Sequence, residues 1–315
     1  MNNPRLRVFT VFIAVLALAG CGKDQSTSGE PGATAAVKKV VEEKVPPYSY
    51  PAPVKGHFKD INIGDFDLVD GIAYPASSGT GTVVYLTSKP IASPLIAESA
   101  CPMIEARVLT QMRNVGYLEL TLDKGASKYL IAGTPFAGSS YEQASTSHRW
   151  VNRTKGGDAA RVVGSFIDRG AGSYDFDLPL SQPKISQRSN IDIEKSGARG
   201  DPTAPRPDQQ AVTAAYKAVH DAAVKKNWKA MLGALGFDEK QNAAIRGLDG
   251  IDADLAVYAD RFLQPGTPED FSAKLGTAYV KSAGVNSQGK KFANYYHFLP
   301  CGDHFVLVAI AENPQ

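Results

Sequence analysis

Hydrophobic and polar positions change their rhythm several times along this chain, and each change marks a segment. Residues 8–19 are an apolar run broken only by Thr10, with Arg5 and Arg7 before it. A bilayer span wants about 20 apolar residues, so this shorter run suits the core of a secretion signal over residues 1–20. Residues 21–55 are mostly Ser, Thr, Gly, Ala, Lys, Glu and Pro, with no apolar period long enough to bury a face. They read as a tether whose Tyr48 to Pro53 end is a stiff linker, with a docking segment as the alternative.

From residue 56 to residue 193 the period becomes two. Residues 82–86, 117–121, 128–131, 161–167 and 174–178 are rich in β-branched and aromatic side chains and are separated by Gly, Ser and Pro. Tyr174, Phe176 and Leu178 alternate with Asp175 and Asp177, which predicts one buried and one wet face. Residues 106–110 also read as a strand, with a helix over 97–110 as the alternative. Residues 194–206 offer almost nothing to bury and are read as a linker.

Beyond the linker, Val212, Ala215, Tyr216, Val219 and Ala222 recur at helical spacing. Further helices are expected over 228–235, 238–246 and 252–263. Thr267, Pro268, Glu269 and Asp270 have the chemistry of a helix start: a capping hydroxyl, a proline and two early carboxylates. Strands are expected over 277–285, 292–299 and 304–311. The predicted fold class is therefore two domains, an all-β sandwich-like one at residues 56–193 and a smaller α+β one at 207–315, helices laid on an antiparallel sheet.

Leu18, Ala19, Gly20 and Cys21, in register behind the basic start and the apolar core, resemble the lipobox of bacterial lipoproteins. The resemblance implies cleavage before Cys21 and acylation of its thiol and new amino group. Two or more chains make anchoring stable where one is marginal. Gly22 stands where an aspartate favours inner-membrane retention in enterobacterial lipoproteins, which points to the outer membrane. Residues 206–315, with a helix, an Asn227-Trp228 turn and closing strands, are similar in pattern to NTF2-like or cystatin-like α+β domains. Such folds often enclose an apolar pocket, here with Tyr216, Trp228, Tyr258, Phe262, Tyr279, Tyr295 and Phe298 to line it.

Composition narrows the chemistry. Of 34 Lys and Arg, Arg5 and Arg7 leave with the signal, so 34 − 2 = 32 basic side chains face 32 acidic ones. No basic face suited to nucleic acid is visible. Besides Cys21 the chain holds Cys101 and Cys301, which are either a disulfide suited to an oxidising compartment or two buried thiols. Asp65, Asp67 and Asp70 raise the question of calcium, but their spacing departs from the D-x-D-x-D-G loop. A serine elbow, a phosphate loop and zinc spacing are all absent from the sequence. The nearest approach to a polar site is His297, Asp303 and His304, which a hairpin through Cys301 could gather.

These readings imply a membrane-anchored, periplasm-facing binding or protein-interaction module without metal or cofactor. Its partners are the bilayer, through acylated Cys21, and a protein or cell-wall component of the envelope. A narrower possibility is an immunity or inhibitor lipoprotein against a periplasm-acting toxin such as a peptidoglycan hydrolase. An envelope hydrolase and a small-ligand carrier are the rival functional classes.

Overall fold

The computed structural model describes residues 45–60, 63–75, 81–123, 126–134, 139–144, 151–152, 161–168, 172–181, 208–263, 266–274, 277–285, 289, 291–301 and 304–311. The signal, Cys21, the first part of the tether and the 194–206 linker lie outside these residues.

The first half supplies β1 (Val54–Asp60), β2 (Gly64–Leu68), β3 (Asp70–Pro75), β4 (Thr82–Thr87), α1 (Ser93–Ile96), α2 (Pro102–Met112), β5 (Tyr117–Asp123), β6 (Ala126–Thr134), β7 (Ser139–Ala144), β8 (Val151–Asn152), β9 (Arg161–Asp168) and β10 (Gly172–Pro179). Two antiparallel sheets result, ordered β2-β1-β10-β9-β8 and β3-β4-β5-β6-β7. Val54, Phe58, Tyr174, Phe176 and Leu178 of the first sheet meet Ala73, Val84, Leu86, Leu118 and Leu120 of the second. The antiparallel sheets match the expectation, but residues 56–193 also hold α1 and α2 and are therefore not all-β. Successive side chains along a strand point to opposite faces, so Val83 and Tyr85 of β4 are directed away from this core.

They enter a second core. It joins Ile72, Tyr74, Val83 and Tyr85 to α2 and to the second half of the chain. The second half consists of α3 (Gln209–Val224), α4 (Trp228–Ala234), α5 (Glu239–Arg246), α6 (Ile251–Phe262), β11 (Thr267–Lys274), β12 (Thr277–Val285), β13 (Lys291–Cys301) and β14 (His304–Ala311). Its four strands form one antiparallel sheet in chain order. The helix starts follow their caps: Asp208 accepts from Ala211 N at 2.9 Å, and Asp238 with Gln241 makes a reciprocal capping box. The chain from Lys44 onward is a single compact unit. Its core does not part at the change of period: α2 is buried along almost its whole length, as a helix at the centre of a molecule must be.

Three expectations are corrected. Residues 106–110 are helical, within α2, because both sides of that segment are covered. Residues 267–270 open β11 rather than a helix; β11 pairs antiparallel with β12, and the register shifts between Pro268 and Asp270. As the edge strand it tolerates a proline that cannot donate to a ladder, and Glu269 is 3.0 Å from Lys281 on β12. Finally, the last part of the 21–55 tether is seated on the fold. Tyr48 N donates to Gly247 O at 2.8 Å, the Tyr50 hydroxyl donates to Asp70, and Val54 is already in β1. A Cβ at Gly247 would meet Pro46 O at 2.6 Å, so only glycine admits this strap.

Candidate functional site

The polar side chains that sequence reading singled out are dispersed by the fold. Asp65 and Asp67 are exposed on β2, where they flank His57 of β1: His57 Nε2 lies 2.6 Å from Asp65 and Nδ1 2.9 Å from Asp67. Hydrogen bonding to Asp67 above all holds the His57 pKa up. Asp70 is buried elsewhere. It accepts from Ile91 N at 2.7 Å, Gly71 N at 2.8 Å, the Ser93 hydroxyl and the Tyr50 hydroxyl, which fixes the strap and α1 to β3. Burial raises its pKa against those bonds. The three aspartates therefore do not converge on a cation.

His297 and His304 are also kept apart. In the β13–β14 ladder His297 pairs with Ala309 and His304 with Cys301. Four positions along a strand amount to about 13 Å. Asp303 lies outside the described residues. His297 stacks on Tyr279 with ring centroids 4.4 Å apart, and its Nε2 is buried without a hydrogen bond. Burial, with the Arg107 charge adding to it, pushes its pKa down to about 4. His304 is exposed at the start of β14. With Phe305 it borders a groove of about 370 Å³ whose other walls are Ala211 and Ala215 of α3, Gly233 and Ala234 of α4, and Gly236. Gly236 has φ +94°, and a Cβ there would come within 2.9 Å of His304 Nε2. Small side chains make this depression. Its lining mixes small apolar side chains with exposed polar atoms, and one imidazole stands at the rim.

The structure joins Cys101, just before α2, to Cys301 at the end of β13, with S–S 2.01 Å and Cα–Cα 6.0 Å. The remaining ionisable groups of the shared core hold α2 and its neighbours in place. Arg113, at the end of α2, donates from Nε to Asp254 at 2.9 Å, from one terminal nitrogen to Asp249 O at 2.6 Å and from the other to Pro90 O. Lys89 donates to Asp254 at 3.0 Å and to Arg113 O at 3.1 Å. Arg107 faces Glu119 at 3.4 Å. Glu105 accepts from Gln241 of α5 at 2.7 Å, and burial raises its pKa to about 7.

On the other face of the last sheet, the Tyr216 hydroxyl donates to Ser282 at 2.6 Å and the Tyr296 hydroxyl to Phe262 O at 2.8 Å. Tyr216, Tyr258, Tyr296 and Phe298 are fully buried, so the aromatic surface that could have lined a pocket fills the core instead. Sequence reading missed Asp70, Arg113, Glu105 and Glu119 as buried hubs. Their only sequence signal is a charged residue within a run of apolar neighbours, which does not name a partner 12 to 141 residues away.

Among the described residues, no three His, Cys, Asp or Glu are placed to hold a metal ion, and no helix is long and apolar enough to cross a membrane. No family model, curated protein or solved structure matches the chain.

Proposed function

We propose that this chain is a membrane-anchored lipoprotein whose folded part faces the periplasm and works as a binding module rather than an enzyme. The observation that carries the reading is the Cys101–Cys301 bond, because such bonds persist in oxidising compartments. The lipobox over Leu18 to Cys21 supplies the anchor, and Gly22 favours the outer membrane. In this reading the β-rich half at residues 56–193 and the α+β half at 207–315 are held as one body by α2, the disulfide and Arg113, and they present surfaces rather than a hinge-closing cleft. Internal bonding of Asp70, Arg113 and Glu105 supports binding over catalysis, since these groups serve the fold. The groove beside His304 is a depression that a protein or cell-wall partner would meet in this reading.

Growth with labelled palmitate followed by fractionation tests the anchor. The native chain carries label and sediments with membranes, and Cys21→Ser is unlabelled and soluble. A Cys21→Ser chain that still sediments, or native protein without label, overturns the reading. The narrower inhibitor role predicts that the mature chain retains a cell-wall hydrolase in a pull-down.

A further inference from the structure

We propose that the sheet β11–β14 is an acid-releasable layer, freed from α2 and α3 when two imidazoles, one on each of its faces, take up protons. The reading rests on geometry at adjacent residues of β13. Tyr296 and His297 point to opposite faces of the strand. On the α3 face, His220 lies against Tyr296 with ring centroids 5.0 Å apart and against Tyr216 at 4.0 Å. Its Nδ1 lies 3.0 Å from Tyr216 O, one turn back on the same helix, so Nδ1–H donates there and Nε2 is left as a bare buried acceptor. On the α2 face, His297 Nε2 is equally bare, with Tyr279 stacked on the ring.

Neither ring is provided for as a cation. Around His297 the charged and titratable groups are Arg107 from α2, Tyr279 from β12 and, through Arg107, Glu119 from β5. The cation is the group that acts on the imidazole, and it opposes protonation. Around His220 stand Tyr216 and Tyr296, with Asp221 on its own helix, exposed to water and weakly favouring the charged form. Burial depresses both groups to about 4 from 6.5. A proton arriving at either Nε2 therefore finds no acceptor in place and is accommodated by opening the face to water. The disulfide holds Cys301 of β13 to Cys101 at α2 throughout, so release is local and reversible.

The sign follows from linkage. An imidazole that titrates at 6.5 when freed and at about 4 when buried favours the open form by about tenfold for each pH unit below 6.5, down to about 4. Two such groups give about a hundredfold per unit. Glu105 opposes this by about tenfold per unit between 7 and 4.5 if its bond to Gln241 opens as well. The net rise is at least about tenfold per pH unit.

Native-state hydrogen exchange of the full mature chain between pH 6.5 and 4.5, corrected for intrinsic rates, tests this. Opening constants of amides in β12 and β13 are expected to rise at least about a hundredfold across the two pH units, while those of β1 and β10 stay flat. His297→Phe keeps the stack on Tyr279 and removes one titrating group. His220→Gln keeps a donor for Tyr216 O and removes the other. Each variant flattens the β13 profile by about tenfold per unit. Parallel profiles in β13 and β10, or a β13 profile that neither variant changes, overturn the proposal.

Discussion

Strands β3, β4 and β5 are covered on both faces, and the two covers differ. Toward β1 and β10 the core is dry: Val84, Leu86, Leu118 and Leu120 meet Phe58, Phe176 and Leu178. Toward α2 the core is studded with ionisable groups, among them Asp70, Glu105, Arg107, Arg113, Glu119 and His297. A dry core is non-directional and tolerates repacking. A core with bonded charges fixes which element meets which, and it titrates. The dry core of the sandwich therefore supplies stability without a titrating group of its own, and the second core supplies the register between the halves of the chain at the cost of pH sensitivity.

Breaking the disulfide strikes the second core hardest. Cys101→Ala with Cys301→Ala releases a loop closed across 200 residues, and chain entropy sets the loss at about 5 kcal/mol. Urea unfolding of oxidised and substituted protein measures it. Next comes Arg113→Ala, which leaves Lys89 as the cation on Asp254 and strands the Asp249 and Pro90 carbonyls. Two unsatisfied carbonyls and a weakened ion pair cost about 3 kcal/mol. In the dry core, Leu120→Ala costs about 3 kcal/mol and leaves the pH profile of stability unchanged in the same assay.

Glu105→Gln sharpens the contrast with the opposite sign. The folded pKa of about 7 stands above the ordinary 4.5 because burial disfavours the carboxylate. The folded state thus holds its proton more tightly, and stability falls as pH rises from 4.5 to 7. The whole loss is about 3 kcal/mol above pH 7. Glutamine still accepts from Gln241 and carries no charge. The variant is expected to be more stable by up to that amount at pH 8 and equal to the native chain below pH 4.5, as denaturant midpoints across pH would show.

Much of this architecture is legible in the sequence where one period rules. The alternation of Tyr174, Phe176 and Leu178 marks β10, the spacing of Val212, Tyr216 and Val219 marks α3, and residues 277–285 match β12. Legibility fails where tertiary contact decides. Thr267 and Pro268 carry helix-start chemistry, yet pairing with β12 outweighs it. Residues 106–110 are apolar enough for a strand, and only burial on all sides makes them helix. Tyr48 and Tyr50 belong to a segment whose composition says tether, and their partners Gly247 and Asp70 are invisible to any local pattern. The site candidates fared similarly. Cys101 and Cys301 meet, whereas His297 and His304 share a hairpin but not a neighbourhood.

Scanning calorimetry of the mature chain at pH 7.5 tests most directly whether both halves depend on the shared core. One transition, with calorimetric and van't Hoff enthalpies equal, is the predicted result. Two resolved transitions, one for residues 56–193 and one for 207–315, would contradict it.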